Sequence, residues 1–316
     1  MKISQLALKS VAGLPDLSID LMSNAGRPHD LVLVAGPAAS GKTRLLELVL
    51  AGLETIGPYE GIVRSADWVT SPQKSARLEL GVWLAETERE NLSLPSNPAR
   101  CVVGFGPDGI ICDAPKAISR LLSRYDHDPK SGKREYFHET RQRAWGGRMD
   151  GIGALEQSLW RCSKDPQKYG FIPSFLATLP TDAERHRVFA AGLERLSATV
   201  RYTPDAAAPS PSFGVVDRNA CFSNGSPTRV RLAELSSSEA NAVLIASTAA
   251  MTGLSHSIVL LDRPELHVAD DHLVAWVQAL AGLGHDNQWI IATGNERLLA
   301  AVDASQVVSL SRGGSA

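Results

Sequence analysis

Eight consecutive residues carry the pattern of a phosphate-binding loop, G-x-x-x-x-G-K-[ST]. Glycines in this pattern let backbone N–H groups turn toward phosphate oxygens, and the start of the following helix adds partial positive charge. Lys42 is placed to reach the β- and γ-phosphates of a nucleotide, and the Thr43 hydroxyl to ligate Mg²⁺. The predicted nucleotide-binding residues are Gly36, Pro37, Ala38, Ala39, Ser40, Gly41, Lys42 and Thr43.

An acidic motif far downstream fits the same chemistry. The stretch SIVLLDRPELH (257–267) reads as a buried strand that ends in a carboxylate, Asp262. A carboxylate at this place orients the Mg²⁺ that a phosphate-binding loop holds through its threonine. Thr43 and Asp262 are therefore the predicted metal ligands.

Three consecutive serines, Ser236, Ser237 and Ser238, precede the acidic strand at the predicted start of a helix. Ser236 or Ser237 can cap this helix, with Glu239 completing a capping box. The same hydroxyls and free N–H groups can also form a second phosphate-binding surface, directed at a nucleotide on a partner chain. The residues alone leave both interpretations open.

The elements around these motifs alternate between strands and helices. An apolar run at 31–35 predicts a strand before the loop, and leucines and valines at helical spacing predict a helix over 43–54. Alternating residues at 2–21 and 101–112 predict two hairpins, the second around the turn GPDG. Further strands are predicted at 78–84, near 213–217, and at 228–232, 257–261, 288–293 and 306–310, with helices at 238–252 and 270–282. The pattern predicts an α/β fold.

The segment from about 114 to 200 has a different character. Helical patterns at 114–125, 153–162 and 182–200 flank a glycine-rich middle. We expect one composite domain, with an amino-terminal lobe (1–112) that holds the loop, a helical insertion or lateral subdomain (113–202), and a carboxy-terminal lobe (203–316).

The composition excludes several classes of protein. The chain has 316 residues, 44% of them hydrophobic, and a formal net charge of −2, so a globally basic nucleic-acid binder is not indicated. Its four cysteines are scattered without a C-x-x-C pair, which argues against a metal site built from cysteines and against a disulfide framework. The sequence has neither a signal-peptide pattern nor an apolar run of bilayer length, and we expect a cytoplasmic protein without a membrane segment.

One segment, 118–148, holds eight Arg and Lys against four Asp and Glu, with Tyr125, Tyr136, Phe137 and Trp145 between them. Basic residues interleaved with aromatic ones can follow a phosphate backbone and stack on bases, so nucleic acid is a possible partner. A solvated loop and helix face, or a docking surface for a protein, accounts for the pattern as well.

The motifs together resemble the ABC-type ATPases of the SMC, RecF and overcoming-lysogenization-defect kind. ELSSSE is similar to their signature LSSGE, LLDRPELH to their LIDEPELHLHP, and QWIIATGNERLL to their QIIIATHSPxLL. The resemblance implies a P-loop NTPase with ABC-type head architecture: a mixed central sheet, an amino-terminal β-hairpin and a helical insertion. It also implies ATP and Mg²⁺ as cofactors, held between two heads so that Ser236 of one contacts the γ-phosphate on the other. Gln73 is the candidate for the family's Q-loop glutamine.

Three positions depart from the family's pattern. Arg263 replaces the glutamate that polarises the attacking water, and an arginine can neither accept a hydrogen bond nor take a proton. Gly294 replaces the switch histidine, and Ser238 replaces the glycine of the signature. The loss of a water-positioning group typically slows a reaction 10²–10⁴-fold.

The resemblance and these departures together imply an ATP-dependent switch that dimerises around ATP·Mg²⁺ and hydrolyses it slowly, beside a separate effector in a DNA-related or antiphage-defence complex. One alternative is an active ATPase, in which Glu265, Glu296, Asn295 or a partner supplies the missing group. Another is a pseudo-ATPase scaffold. Arg263 can also pair with the γ-phosphate and stabilise the closed state.

Overall fold

The computed structural model describes residues 1–58, 63–123, 134–141, 164, 166–203, 221–223, 225 and 229–311. The strands are β1 (Lys2–Lys9), β2 (Leu17–Asp20), β3 (Leu31–Ala35), β4 (Ala76–Trp83), β5 (Ala99–Gly106), β6 (Gly109–Asp113), β7 (Arg134–Phe137), β8 (Arg201–Tyr202), β9 (Cys221–Ser223), β10 (Val230–Arg231), β11 (Ile258–Asp262), β12 (Gln288–Ala292) and β13 (Val307–Ser309). The α-helices are α1 (Lys42–Ile56), α2 (Glu86–Asn91), α3 (Lys116–Leu122), α4 (Ile172–Thr178), α5 (Ala183–Leu196), α6 (Ser237–Thr252), α7 (Leu273–Leu280) and α8 (Glu296–Ala300).

A five-stranded antiparallel sheet, in the order β2-β1-β4-β5-β6, forms one layer. The two predicted hairpins are confirmed as β1–β2 and β5–β6, and β4 joins them by pairing with both β1 and β5. Buried residues alternate with more accessible ones along β5, as expected for a sheet with one face on the core.

A five-stranded parallel sheet forms a second layer, in the order β13-β3-β12-β11-β7. Strands β11 and β12 are buried at every position, which explains their continuously apolar sequences. Because all five strands run in the same direction, the loops after their carboxyl ends meet at one edge of the sheet. This edge is where open α/β sheets bind their ligands.

Two hydrophobic cores lie on opposite faces of the parallel sheet. The first contains α1, α3 and the inner face of the antiparallel sheet. The second contains α4, α5, α6 and α7. Helix α6 is buried from Ala240 to Thr252, so it is an internal helix and not an amphipathic surface one. Its amino terminus is fixed by the core behind it.

The middle of the chain contains a strand that the sequence analysis did not predict. Strand β7 lies at the edge of the parallel sheet, beside β11, so the segment 113–202 is not helical throughout. The helices predicted at 114–125 and 182–200 are present as α3 and α5. The helix predicted at 153–162 and the strand predicted near 213–217 lie outside the described residues. The proposed lobe boundaries stay predictions.

Strand β7 also changes the interpretation of segment 118–148. Tyr136 and Phe137 are fully buried, and so are Arg134 and Arg141. These side chains are packed in the protein interior and cannot contact nucleic acid. For these four residues, the interpretation of the segment as a nucleic-acid-binding surface is therefore wrong. Arg120 is exposed on α3. The other basic and aromatic residues of the segment lie outside the described residues: Arg124, Tyr125, Lys130, Lys133, Arg143, Trp145 and Arg148.

Arg134 attaches β7 to helix α1. Its guanidinium lies 2.7 Å from the Glu54 carboxylate and donates to the carbonyl oxygens of Leu53 (3.0 Å) and Gly57 (2.8 Å). Arg134 and Glu54 are 3% and 4% exposed, so the pair is desolvated and both charges depend on their mutual contact.

We expect Arg134→Ala to destabilise the protein by about 3–5 kcal/mol, because the Glu54 carboxylate would remain buried without its arginine. Urea unfolding followed by circular dichroism measures this loss. The control is Arg120→Ala, an exposed arginine whose removal should change the free energy of unfolding by less than about 0.5 kcal/mol. Equal stabilities of the two variants would contradict the structural role of the Arg134–Glu54 pair.

Candidate nucleotide-binding site

The loop from Gly36 to Thr43 connects β3 to α1, and its two glycines are required by its geometry. Gly36 has φ 149°, and a Cβ there would lie 2.5 Å from both the Leu310 carbonyl oxygen and the Ser40 hydroxyl. Gly41 has φ 92°, and its Cβ would lie 2.7 Å from the Leu14 side chain. Side chains at these two positions would therefore clash with the Leu310 carbonyl, the Ser40 hydroxyl and Leu14, so the tight turn of the loop requires glycine.

Lys42 lies folded over this loop. Its ammonium donates to the carbonyl oxygens of Gly36 (2.7 Å) and Pro37 (2.8 Å). Both of these acceptors are neutral. An ammonium forms stronger and shorter hydrogen bonds with a charged acceptor, such as a phosphate oxygen, than with a neutral carbonyl. Phosphate oxygens would therefore replace these carbonyls as partners of Lys42.

The two predicted metal ligands contact each other. The Thr43 hydroxyl donates to Oδ2 of Asp262 over 2.8 Å, and Asp262 is fully buried at the end of β11. Burial raises the pKa of Asp262 to about 6, although the hydrogen bond from Thr43 acts in the opposite direction. Its second oxygen, Oδ1, has no hydrogen-bond partner among the described residues.

These two residues fit a magnesium ion. Mg²⁺ prefers oxygen ligands, and a hydroxyl and a carboxylate with a free buried oxygen provide them. A divalent cation would also supply a positive charge to compensate the buried Asp262 carboxylate. The site can hold the ion through Thr43 and Asp262, where it would neutralise charge on the phosphates of a nucleotide.

The serines before α6 form the predicted capping box. Ser236 is the N-cap residue: its hydroxyl accepts from the Glu239 N–H at 3.4 Å, while the Glu239 carboxylate accepts from the Ser236 N–H at 2.7 Å. Ser236, Ser237 and Ser238 are all exposed. No hydrogen bond joins them to the loop of the same chain in the described residues. The cap is thus confirmed, and the phosphate-binding role of the serines stays a prediction.

Arg263 has a backbone conformation unusual for a residue with a side chain, with φ 47°. Its N–H donates to the Ala292 carbonyl oxygen at 2.9 Å, which fixes this turn against β12. Its guanidinium reaches Oε2 of Glu139 over 3.2 Å, and the two side chains are 48% and 34% exposed. Glu139 was not among the predicted site residues, because the sequence pattern did not predict the strand β7 that places it here.

Glu265, a predicted catalytic residue, holds two strand ends together. Its Oε2 accepts from the Thr293 hydroxyl at 3.0 Å, and its Oε1 accepts from the Gly294 N–H at 3.2 Å. Asn295 caps α8 by accepting from the Leu298 N–H at 3.0 Å. Glu265 and Asn295 therefore already have structural partners, whereas Gly294 is exposed with open space where a side chain would be.

Gln73 lies in an exposed turn before β4, in the antiparallel sheet. In the described part of the chain, no hydrogen bond joins Gln73 to the loop or to Asp262. Its assignment as the Q-loop glutamine stays a prediction.

Arg141 is a buried positioning residue that the sequence analysis did not single out. Its Nη1 donates to the Asp262 carbonyl oxygen at 2.8 Å, and its Nε donates to Oδ1 of Asn241 in α6, also at 2.8 Å. Burial lowers the pKa of Arg141 to about 10, so the guanidinium remains charged at neutral pH. The strand that carries Asp262 is thereby joined to the helix that carries the exposed serines.

Solved structures share this architecture over nearly the whole chain. An SmcHead bound to the C-winged helix domain of ScpA matches with a TM-score of 0.62 and 13% identity, over 98% of this chain and 94% of that one. The SMC head domain from Thermotoga maritima gives 0.54 and 13%, over 98% and 94%. The recombination mediator protein RecF, as RecF-ATPrS, gives 0.52 and 11%, over 98% and 97%. The chain has the fold of SMC heads and RecF.

The SMC/RecF fold confirms the ABC-type head architecture that the motifs predicted, with its mixed sheets and amino-terminal hairpin. No protein-family model matches the sequence, and no curated protein matches it. Among the described residues of this chain, no helix is both long and apolar enough to cross a membrane.

We expect Asp262→Asn to stabilise the protein at pH 8 and to have little effect at pH 4. The pKa of Asp262 is raised from 3.8 to about 6, so the wild type loses stability as the pH rises between these values. This shift corresponds to about 3 kcal/mol, and Asn carries no charge to bury. Thermal unfolding at both pH values measures the difference. Asp113→Asn, at an exposed site, is the control, and an equal effect of Asp262→Asn at pH 4 and pH 8 would contradict the account.

Proposed function

We propose that this protein is an ATP-binding switch in which two copies close around ATP·Mg²⁺ and hydrolyse it slowly. One observation carries the proposal: the binding residues Thr43 and Asp262 contact each other below an intact loop, while the next residue in the chain is Arg263. The residues that would bind phosphate and the metal ion are thus present, whereas the usual water-activating glutamate after Asp262 is absent.

Binding follows from the contacts of the loop. Lys42 exchanges its two loop carbonyls for the β- and γ-phosphates, and Thr43 and Asp262 hold Mg²⁺ between them. The preference for ATP rests on the SMC/RecF resemblance, because a phosphate cradle does not distinguish adenine from guanine.

Closure of two copies is supported by the position of the serines. Ser236 and Ser238 are exposed at the amino terminus of α6 and make no hydrogen bond to their own loop among the described residues, so a nucleotide on another chain can approach them. The N–H groups of a helix start and its partial positive charge favour a γ-phosphate at this place. The link from Asp262 through Arg141 to Asn241 would relay the state of the site to this helix.

Slow hydrolysis follows from the residues at the strand ends. Arg263 cannot take a proton from water, and Gly294 has no side chain to contact the γ-phosphate. Glu265 accepts two hydrogen bonds from Thr293 and Gly294 and is held away from that task. The bound nucleotide would therefore persist and hold the closed state.

The wider role proposed here is control of a DNA-related or antiphage-defence complex in the cytoplasm, through a separate effector protein. One neighbour in fold, the recombination mediator RecF, supports a DNA-related setting, and another, an SmcHead bound to a domain of ScpA, supports a separate protein partner. ScpA is the partner of that SmcHead and RecFOR the pathway of that RecF.

Dimerisation can be tested by placing a charge at the proposed γ-phosphate contact. We expect the wild type with ATP·Mg²⁺ to show twice the 33.8 kDa monomer mass in light scattering. Ser238→Glu should remain monomeric, because its carboxylate would repel the γ-phosphate although it suits a helix start. The matched control Ser238→Gly, which restores the family's residue, should dimerise as the wild type does. A wild type that stays monomeric, or a Ser238→Glu variant that dimerises equally well, would sink the proposed closure.

A further inference from the structure

We propose that Glu139 is the water-activating residue of this site, and that Arg263 holds it until nucleotide binds. This inference rests on the proposed function, because it assigns a catalytic residue to the hydrolysis of the bound ATP. In this proposal, the water-activating carboxylate follows β7, the strand next to β11, and does not follow β11 itself.

The sheet register places Glu139 beside the position where the family has its glutamate. Phe137 of β7 pairs with Leu261 of β11, and two residues beyond this last pair Arg263 Nη1 lies 3.2 Å from Glu139 Oε2. The backbone of Glu139 is fixed, since its carbonyl oxygen lies 3.0 Å from the His267 ring. The charge of Glu139 also helps to raise the pKa of Asp262, the predicted metal ligand, after the larger effect of burial.

Three other carboxylates described near this edge have partners of their own. Asp262 is the metal ligand, and Glu265 accepts from Thr293 and Gly294. Glu47, one turn into α1, contacts Lys164 and lies 3.9 Å from Arg44. Glu139 has the partly exposed Arg263 as its ion-pair partner, and it is itself one-third exposed. It can therefore reach a water molecule.

The contact between Arg263 and Glu139 is one that a nucleotide can break. Both side chains are partly exposed, and ion pairs of this kind contribute little to stability. A γ-phosphate carries more charge than a carboxylate and accepts two parallel hydrogen bonds from a guanidinium. ATP would draw Arg263 to its γ-phosphate and leave the Glu139 carboxylate free.

The chemistry then needs only water. Glu139 accepts a proton from a water molecule while the water oxygen forms a bond to the γ-phosphorus. The bond from that phosphorus to the β–γ bridging oxygen breaks, and its electron pair leaves with ADP. Glu139 returns the proton to phosphate or to solvent, so the carboxylate is regenerated. The charge of Arg263 stabilises the oxygens of the transferring group.

The test is Glu139→Gln, which keeps the size of the side chain and removes its basicity. We expect its turnover number to fall tenfold or more, as is typical for loss of a general base. The dissociation constant of ATP should fall, by up to about fivefold, because Arg263 no longer has to leave a carboxylate. Glu86→Gln, on the exposed α2, is the control and should match the wild type in both quantities.

The outcomes separate the claims. Unchanged turnover in Glu139→Gln, or a loss of turnover seen in Glu265→Gln instead, would overturn the catalytic role of Glu139. Reduced turnover with an unchanged dissociation constant would overturn the holding role of Arg263. A wild type that fails to bind ATP would refute the proposed function itself, whereas one that binds ATP and dimerises without detectable turnover would refute the assignment of Glu139 alone.

Discussion

The hydrogen bond between Thr43 and Asp262 joins the beginning of α1 to the end of β11, and the rest of the site is arranged around it. It can form because β3 and β11 run parallel on either side of β12, so that the loop and the carboxylate leave the sheet at the same edge. The Asp262 carboxylate is buried there with one oxygen unpartnered, which raises its pKa and makes a cation the natural partner. Burying the charged Asp262 carboxylate is unfavourable in the absence of a cation, and a metal ion bound at this place would offset that cost.

Around this contact, the residues expected to bind nucleotide are all present, whereas the residue expected to activate water is not at its usual position. The loop retains both of its glycines, Lys42 and Thr43, while the turn after Asp262 carries an arginine in place of a carboxylate. The strand beside it supplies a carboxylate instead, Glu139, in contact with that arginine. A site built in this way would bind nucleotide readily and turn it over only after the Arg263–Glu139 pair has been broken. That order of events suits a switch whose bound state must last.

Much of the fold and the loop could be predicted from the sequence, because the signals are local. The apolar runs of β3, β11 and β12 and the glycine spacing of the loop each lie within a few residues. Strand β7 could not be predicted in this way: Arg134, Glu135 and Lys168 are buried by pairing with residues distant in sequence, so a core strand reads as a charged segment. Glu139 was missed for the same reason, and Arg141 shows that a basic residue in a basic segment can belong to the interior. The contacts of Glu265 likewise depend on two strand ends that only the folded sheet brings together.

The central claim is that ATP is held and only slowly consumed, and the most direct measurement of it is the fate of ATP on the protein. The wild type would be loaded with ATP·Mg²⁺, separated from free nucleotide by gel filtration, and sampled over time by acid quench and chromatography, with Lys42→Ala as the variant that lacks the phosphate-binding ammonium. The account predicts that the wild type retains intact ATP for minutes and that Lys42→Ala retains none. Complete conversion to ADP within about a second, a rate common for dedicated enzymes, or equal retention by the two proteins, would contradict it.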